Sequence, residues 1–307
     1  MAIINTGLLT KGLRSEFFDR FDATPTYFQD LSTRIESNSD AEIYKWLGTV
    51  PTMRPWGTGR VARGMKTESY SVENLKYEST IEVDRDEIAD DKTGQIRIRI
   101  GLLGEQAATH KDFLIAQLLI NGETAGFNSY DGVSFFNDAH VSGDSGPQDN
   151  KLTSVAVAPD TPTTEEFKTA LMAALGAMMN FKNDRGDPLA LSATGLVCVV
   201  PTTMFFTAME AVNATVINNA SNVLQGVARV ISFPWLTDLS KWYLLKTDGV
   251  IRPIIFQDRE PLEFTALTED SDEGFRREKF LYGVRARYRM AYGYWQFAVR
   301  VNLTTPT

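Results

Sequence analysis

The chain has 307 residues, of which 43% are hydrophobic and 23% charged, and these proportions exclude a fibrous or a wholly disordered protein. Its 31 basic and 39 acidic side chains give a net charge of −8, which argues against a protein that binds nucleic acid over its whole surface. The single cysteine excludes an internal disulfide, and the lack of a signal-peptide pattern or a long apolar run predicts a soluble protein made in the cytoplasm.

Apolar residues at helical spacing predict a short amphipathic helix over residues 8–21. A candidate N-cap, Thr10, lies near its start. The apolar positions recur every four residues and are Leu9, Leu13, Phe17 and Phe21.

Residues 51–84 have the composition of an extended arm. The first part, residues 51–66, contains two prolines, three glycines and four cations, and its nearest acid is Glu68. The cations are Arg54, Arg60, Arg63 and Lys66. Alternating apolar residues over 70–84, with a candidate turn at Asn74, predict a β-like second part. We therefore expect a two-stranded arm, which an acidic block over residues 82–91 ends.

The longest predicted helix covers residues 93–120. Its apolar residues recur at intervals of 3, 4 or 7 and are Ile96, Ile100, Leu103, Ala107, Leu114 and Leu118. Gly122 follows as a candidate C-cap, and at 1.5 Å per residue the helix would be roughly 42 Å long. A strand is the alternative, because isoleucines and arginines alternate over residues 96–100. Length and continuity favour the helix.

The second half of the chain predicts a compact α/β unit and then a β-rich part. Residues 122–162 are rich in Gly, Asp, Asn, Ser and Pro and should be mostly loop. A helix beginning at Thr164, a buried strand over 196–200 and a helix after Pro201 make up the α/β unit. Several apolar, β-branched segments then continue to the C-terminus.

One motif suggests an enzyme. The sequence GDSGP at residues 143–147 matches the surroundings of a trypsin-like nucleophile, here Ser145, which would need a histidine base and a carboxylate to orient that base. The only histidines are His110, on the predicted long helix, and His140, in the same loop. A loop rich in turn formers produces this motif by chance, so a serine hydrolase is the minor hypothesis. We expect no catalytic residue, no cofactor and no metal site.

A series of short motifs runs through most of the chain in a characteristic order. The first group is Tyr44-Lys45-Trp46-Leu47-Gly48, Pro51, Met53-Arg54, Trp56, Arg60, Tyr70, Asn74, Tyr77-Glu78, Val83, Arg85 and Asp90-Asp91. The second group is Phe135-Phe136-Asn137, Ala139-His140, Gly186, Pro188, Leu196 to Pro201, Tyr282-Gly283-Val284, Ala286-Arg287 and Trp295-Gln296. In this order, over roughly residues 8–300, the motifs resemble the Mu-like phage major head subunit family, one of the Hong Kong 97-type capsid proteins.

The resemblance implies an α+β fold of the Hong Kong 97 type. Its parts would be an N-terminal arm (1–49), an extended loop (50–84), a peripheral domain with a long spine helix (85–150), an axial domain (151–245) and C-terminal strands that return to the peripheral domain (246–307). The implied function is that of a major capsid protein of a tailed phage or prophage, which self-assembles into an icosahedral shell around double-stranded DNA without catalysis. An encapsulin-like protein compartment is the alternative, and the Ser145 hydrolase is a lesser one.

The resemblance also implies partners and a location. We expect hexamers and pentamers of this chain in a shell, together with portal and decoration proteins. A separate scaffolding protein is expected because no long scaffolding-like extension precedes the first motif. The packaged DNA would be contacted only weakly, since the net charge is −8. The protein would be in the virion after assembly in the host cytoplasm, with no membrane contact.

Charge segregation predicts how neighbouring copies meet. The basic arm and a basic stretch over residues 276–289 contrast with acidic blocks at 82–91 and 269–273. Complementary contact between copies would explain this pattern, because an extended arm cannot bury its residues against its own domain. Ordinary solvated surface is the alternative. The predicted contact residues are Arg54, Trp56, Arg60, Arg63, Asp90 and Asp91.

Overall fold

The computed structural model describes residues 6–47, 70–90 and 94–306. The helices in these residues are α1 (Thr6–Ala23), α2 (Phe28–Leu31), α3 (Arg85–Asp90), α4 (Gln95–Asn121), α5 (Thr164–Met179), α6 (Phe205–Asn213) and α7 (Asp272–Arg277). The strands are β1 (Ser32–Glu36), β2 (Ala41–Tyr44), β3 (Tyr70–Glu73), β4 (Leu75–Asp84), β5 (Lys151–Val155), β6 (Leu196–Val200), β7 (Val216–Ile217), β8 (Ala220–Ser221), β9 (Ala228–Ser232), β10 (Lys241–Lys246), β11 (Ile254–Leu267), β12 (Lys279–Tyr292) and β13 (Ala298–Thr304). Of the helices in these parts of the chain, none combines the length and apolarity needed to cross a membrane.

A four-stranded sheet is built around the long strand β12. Its strand order is β1-β11-β12-β4, with β1 parallel to β11 and the remaining pairs antiparallel. Buried and more exposed residues alternate along most of β12, so one face of the sheet is apolar and the other carries charged side chains. The apolar face holds Phe280, Tyr282 and Val284, which pack against helices α1 and α4.

Helix α4 confirms the long predicted helix and excludes the alternative strand. It has 27 residues, and Ile96, Ile100 and Leu103 are buried on one face of its first half. Helix α1 packs beside it at Gly104, where an added Cβ would lie 2.6 Å from the carbonyl oxygen of Phe17. The stripe of apolar residues predicted from the sequence therefore faces the sheet, and a glycine permits the close contact between the two helices.

A second, five-stranded sheet has the order β5-β13-β10-β6-β9. The predicted buried strand is β6, whose five residues are all buried, and α5 and α6 pack on the sheet. Helix α5 begins with a capping box, in which the Thr163 side chain accepts from the Glu166 amide and the Glu166 side chain accepts from the Thr163 amide. Both predicted helices of the α/β unit and its strand are thus present.

The predicted two-stranded arm differs from the structure over its described residues. Strand β3 pairs with β2, and β4 pairs with β12, so β3 and β4 do not form a hairpin with each other. Asn74 lies between them, and its side-chain amide donates to Ser37 Oγ and to the Ser39 carbonyl oxygen at 2.9 Å. The apolar alternation was correctly interpreted as strand, but sequence spacing does not show which strands pair.

The C-terminal strands divide between the two sheets. Strands β11 and β12 belong to the four-stranded sheet, whereas β13 lies between β5 and β10 in the five-stranded sheet. The assignment of residues 246–307 to the peripheral domain stays a prediction. After Tyr292 the chain leaves the four-stranded sheet, and the apolar side chains of Val299 and Val301 are buried in the core at the second sheet.

Candidate subunit interface

The two acidic blocks of the sequence lie together at one end of the four-stranded sheet. Asp84, at the end of β4, is opposite Lys279, at the start of β12. Helix α3 continues from β4 and helix α7 precedes β12, and the Arg85 amide donates to the Glu278 carbonyl oxygen at 2.9 Å. We call residues 82–90 and 269–279 the acidic tip. Its two parts are far apart in sequence and are brought together by the pairing of β4 with β12.

The acidic tip carries ten acidic and four basic residues. Three of the bases are used inside the tip. Arg276 pairs with Asp272 at 2.8 Å, Arg277 pairs with a glutamate of α7, and Lys279 pairs with Glu82, which raises the pKa of the lysine. The tip therefore keeps an excess of negative charge.

Helix α3 holds three of the uncompensated carboxylates of the tip. Asp86, Glu87 and Asp90 are exposed, and within the described chain none of them lies within 4.0 Å of a basic group. Exposed carboxylates cost little in an isolated subunit, but they attract a cationic partner through a complementary field. Asp90 is the one predicted contact residue that the structure describes. The others, Arg54, Trp56, Arg60, Arg63 and Asp91, lie outside the described residues.

The predicted contact arginines, Arg54, Arg60 and Arg63, lie in the sequence between Tyr44 and Tyr70. Both tyrosines lie at the end of the four-stranded sheet that is opposite the acidic tip. Tyr44 and Tyr70 face each other in the β2–β3 ladder. The Tyr70 hydroxyl accepts from the amide of Tyr292, the last residue of β12, at 3.2 Å. Because β12 has 14 residues and a strand rises about 3.3 Å per residue, Tyr70 lies roughly 40 Å from the acidic tip of its own subunit.

A buried polar network ties the β2–β3 pair to the sheet. The Tyr44 hydroxyl donates to Gln257 Oε1 at 2.7 Å, and Gln257 Nε2 donates to the Val72 carbonyl oxygen at 3.1 Å and to Asn74 Oδ1 at 2.8 Å. Gln257 is fully buried, and burial raises the pKa of the Tyr44 phenol. Buried polar groups whose hydrogen bonds are all formed stabilise a single arrangement of the chain. The network therefore fixes the position of β3 relative to the sheet.

In the described chain, the hydrogen bonds of the Ser145 hydroxyl are made to backbone groups. The Ser145 hydroxyl donates to the carbonyl oxygen of the next residue at 2.9 Å and accepts from the Ser142 amide at 3.0 Å. His140 Nδ1 lies 2.6 Å from a carboxylate oxygen of Asp131, and His110 Nδ1 lies 2.6 Å from a tyrosine hydroxyl of β12. Among the hydrogen bonds of the described chain, none joins Ser145 to a histidine, the base that the triad mechanism uses.

Sequence analysis missed three large apolar side chains on the surface near the tip. Phe275, on α7, is 85% exposed, and Ile98 and Leu102, on α4, are 61% and 53% exposed. The sequence contained a signal for Ile98 and Leu102, because both are apolar but lie outside the apolar stripe predicted for the long helix. Exposed apolar side chains that lie next to each other on a helix, as Ile98 and Leu102 do, indicate a contact with another molecule.

Comparisons with known proteins agree with this architecture. A family model described as the Mu-like prophage major head subunit gpT matches residues 7–166, 163–236 and 237–305. The major capsid protein of Escherichia phage Mu is 25% identical over 290 residues, which cover 94% of this chain and 70% of that protein. The Mu-like prophage FluMu major head subunit of Haemophilus influenzae is 24% identical over 294 residues, 95% of this chain and 71% of the relative.

A solved structure shows the same fold. It is the procapsid of bacteriophage JBD30, which superimposes with a TM-score of 0.59 at 22% identity and covers all of this chain and 78% of that one. The family model spans nearly the whole sequence, and the neighbours in structure are capsid proteins that assemble into shells. The chain therefore belongs to the family of Mu-like prophage major head subunits and is a phage major capsid protein with a Hong Kong 97-type fold.

Proposed function

We propose that the subunit forms hexamers and pentamers of an icosahedral shell around double-stranded DNA, and that Arg54, Arg60 and Arg63 of one copy contact the acidic tip of a neighbour. The observation that carries this contact is the separation within one subunit. Tyr70, which follows the arginine-bearing segment, is roughly 40 Å from the acidic tip of its own subunit. The acidic tip of another copy is a complementary partner for this segment.

Helix α3 supplies the carboxylates in this proposal. Asp86, Glu87 and Asp90 have no basic neighbour within 4.0 Å in the described chain, whereas the carboxylates of α7 are paired with its own arginines. An exposed ion pair contributes only about 0–1 kcal/mol. A closed shell repeats the contact in every subunit, so a small contribution per pair is sufficient to affect assembly.

Charge reversal of the arginines tests the contact. Arg54→Glu with Arg60→Glu should leave the circular dichroism of the subunit unchanged, while electron microscopy shows no shells, or shells that dissociate at lower salt. The matched control is Lys182→Glu with Arg185→Glu, which changes the net charge equally in a loop before β6 and should leave shells intact. Normal assembly of the arginine variant would disprove the contact. Unfolding of that variant would assign the arginines to the subunit's own core instead.

The packaged DNA is contacted weakly in this proposal. With a net charge of −8, the free subunit should bind random duplex DNA no more tightly than about 10⁻⁶ M at physiological salt, which is typical of non-specific binding. Fluorescence anisotropy with a labelled duplex measures this directly. Much tighter binding would mean that the subunit itself condenses the genome. A separate scaffolding protein, a portal, decoration proteins and assembly in the host cytoplasm complete the proposal, and family membership supports them.

A further inference from the structure

The paired helices α1 and α4 have an outer face that points away from the four-stranded sheet. Leu13 of α1 and Ile100 of α4 lie in the same core cluster as Tyr282 of β12, which places the sheet on one side of the helix pair. Residues two positions away along a helix point in nearly the opposite direction. Ile98 and Leu102 therefore lie on the outer face, adjacent to each other at i, i+4 spacing, and both are more than half exposed.

Three cations lie near these two apolar side chains, while Glu16 of α1, which lies near Gly101, is paired with Arg20. Lys11 is on the outer face of α1, and Arg97 and Arg99 flank Ile98 on α4. The Arg97 side chain extends towards α1, because a Cβ added at Gly12 would lie 3.8 Å from a guanidinium nitrogen of Arg97. In the described chain, neither Lys11 nor the two arginines have a carboxylate within 4.0 Å.

The same chain carries the complement of this face on α7. Phe275 is 85% exposed, and four acidic residues lie two to six positions before it. Two of them, Asp272 and Glu273, pair with Arg276 and Arg277 of the same helix. Asp270 has no basic group within 4.0 Å among the described residues. An exposed aromatic side chain near the uncompensated carboxylate of Asp270 matches exposed aliphatic side chains beside cations, both in apolar surface and in charge.

We propose that α7 of one subunit docks on the outer face of α1 and α4 of a second subunit. Phe275 packs against Ile98 and Leu102, and Asp270 faces Arg97 and Arg99. The two surfaces are different, so the contact is heterologous and repeats from copy to copy. The inference rests on the proposed shell, but it uses residues other than the arginine-bearing segment and α3.

DNA is the other polyanion that such cations could meet. Phosphate contacts use charged and polar groups, and two exposed aliphatic side chains at the centre of the face add nothing to them. The same side chains gain about 25 cal/mol for each Å² that a protein partner removes from water. The mixture of apolar and basic groups therefore favours a protein partner with an acidic surface.

Cysteine cross-linking tests the contact with little background, because the native Cys198 is buried. Ile98→Cys and Phe275→Cys subunits are prepared separately, co-assembled and mildly oxidised, and the products are separated on a non-reducing gel. We expect a covalent dimer of the two variants from the mixture and none from either variant alone. The matched control replaces Phe275→Cys by Phe206→Cys, an 81% exposed position on α6, and should yield no dimer with Ile98→Cys.

The outcomes separate this contact from the proposed function. Shells without cross-links from the mixture, or dimers from Phe275→Cys alone, would overturn the docking and leave the shell intact. Absence of shells from the unmodified chain would overturn the proposed function and the docking with it.

A second experiment reverses charges on the two surfaces. Arg97→Glu with Arg99→Glu should block assembly, and adding Asp270→Lys should restore it in part. Lowered DNA binding with normal assembly would identify a DNA-contacting face and overturn the docking.

Discussion

Asp112 is an acidic side chain that the fold buries on α4. It is 2% exposed, and the Tyr27 amide donates to both of its carboxylate oxygens, at 3.1 and 2.9 Å. Desolvation raises its pKa to about 6, against the opposing effect of hydrogen bonds from the Tyr27 and Phe28 amides. The residue thus holds the chain between α1 and α2 against α4, at an electrostatic cost when it is ionised.

The raised pKa of Asp112 predicts that the stability of the fold depends on pH, and the substitution Asp112→Asn tests this. A carboxyl with a raised pKa binds its proton more tightly in the folded state, so its favourable contribution is present below about pH 4 and is lost as the pH rises through about 6. Asp112→Asn cannot titrate. The free energy of unfolding of the native chain, measured relative to Asp112→Asn in urea, should therefore fall by about 2–3 kcal/mol between pH 4 and pH 7. A difference that does not change with pH would contradict the assignment.

At the scale of elements, the contact of α1 with α4 depends on a glycine. A Cβ at position 104 would lie 2.6 Å from the Phe17 carbonyl oxygen and 3.3 Å from the Phe21 amide nitrogen, and both are backbone atoms that cannot turn aside. The two helices therefore approach more closely than any side chain at this position allows. The apolar stripe of α4 positions the helix on the sheet, and Gly104 determines how α1 lies beside it.

Two glycine-to-alanine substitutions, which should change the stability of the subunit in opposite directions, test this contact. Gly104→Ala should destabilise the subunit by about 1–3 kcal/mol, because a methyl group is forced into packed backbone. The matched control is Gly176→Ala in α5, where an added Cβ meets nothing within 4 Å. That substitution should stabilise the subunit by about 0.5–1 kcal/mol, since alanine is the better helix former. Urea unfolding measures both, and stabilisation by Gly104→Ala would show that α1 does not pack here.

At the scale of the whole molecule, one core joins the two sheets. Phe256 and Tyr288 of the four-stranded sheet lie in the same hydrophobic cluster as Leu244 and Val299 of the five-stranded sheet. The chain also crosses from one sheet to the other between β12 and β13. We therefore expect the subunit to unfold as one cooperative unit.

Removal of the last strand, β13, tests whether the two sheets depend on one shared core. Deleting residues 298–307 removes an inner strand of the five-stranded sheet, with the buried Val299, Val301 and Leu303. At about 1.5–3 kcal/mol for each buried side chain, the loss approaches the whole stability of a typical domain. The truncated chain should be insoluble or lack a near-ultraviolet circular dichroism signal. Deleting only residues 305–307 is the control and should leave the fold intact, and a folded chain without β13 would contradict the single core.

The elements with the clearest periodicity were determined by the sequence alone. The apolar stripe from Ile96 to Leu103 is sufficient for α4, and the capping box at Thr163 marks the start of α5. The buried strand β6 could also be recognised, because a continuous apolar run is what a strand covered on both faces requires. The order of short motifs also indicated the family. The order of motifs is a property of the whole chain, whereas the helix and strand signals are local, so each can be recognised within a few turns or strand residues.

Tertiary structure alone decided which distant residues meet. Strand periodicity predicted β3 and β4, but their pairing with β2 and β12 depends on side chains such as Gln257, which is remote in sequence. The acidic tip likewise exists because β12 places Lys279 opposite Asp84. Pairing is governed by which apolar faces can be buried together, and that choice is made by the whole chain. Spacing along the sequence therefore predicts elements, while the surfaces available to a neighbouring subunit appear only after the sheets have formed.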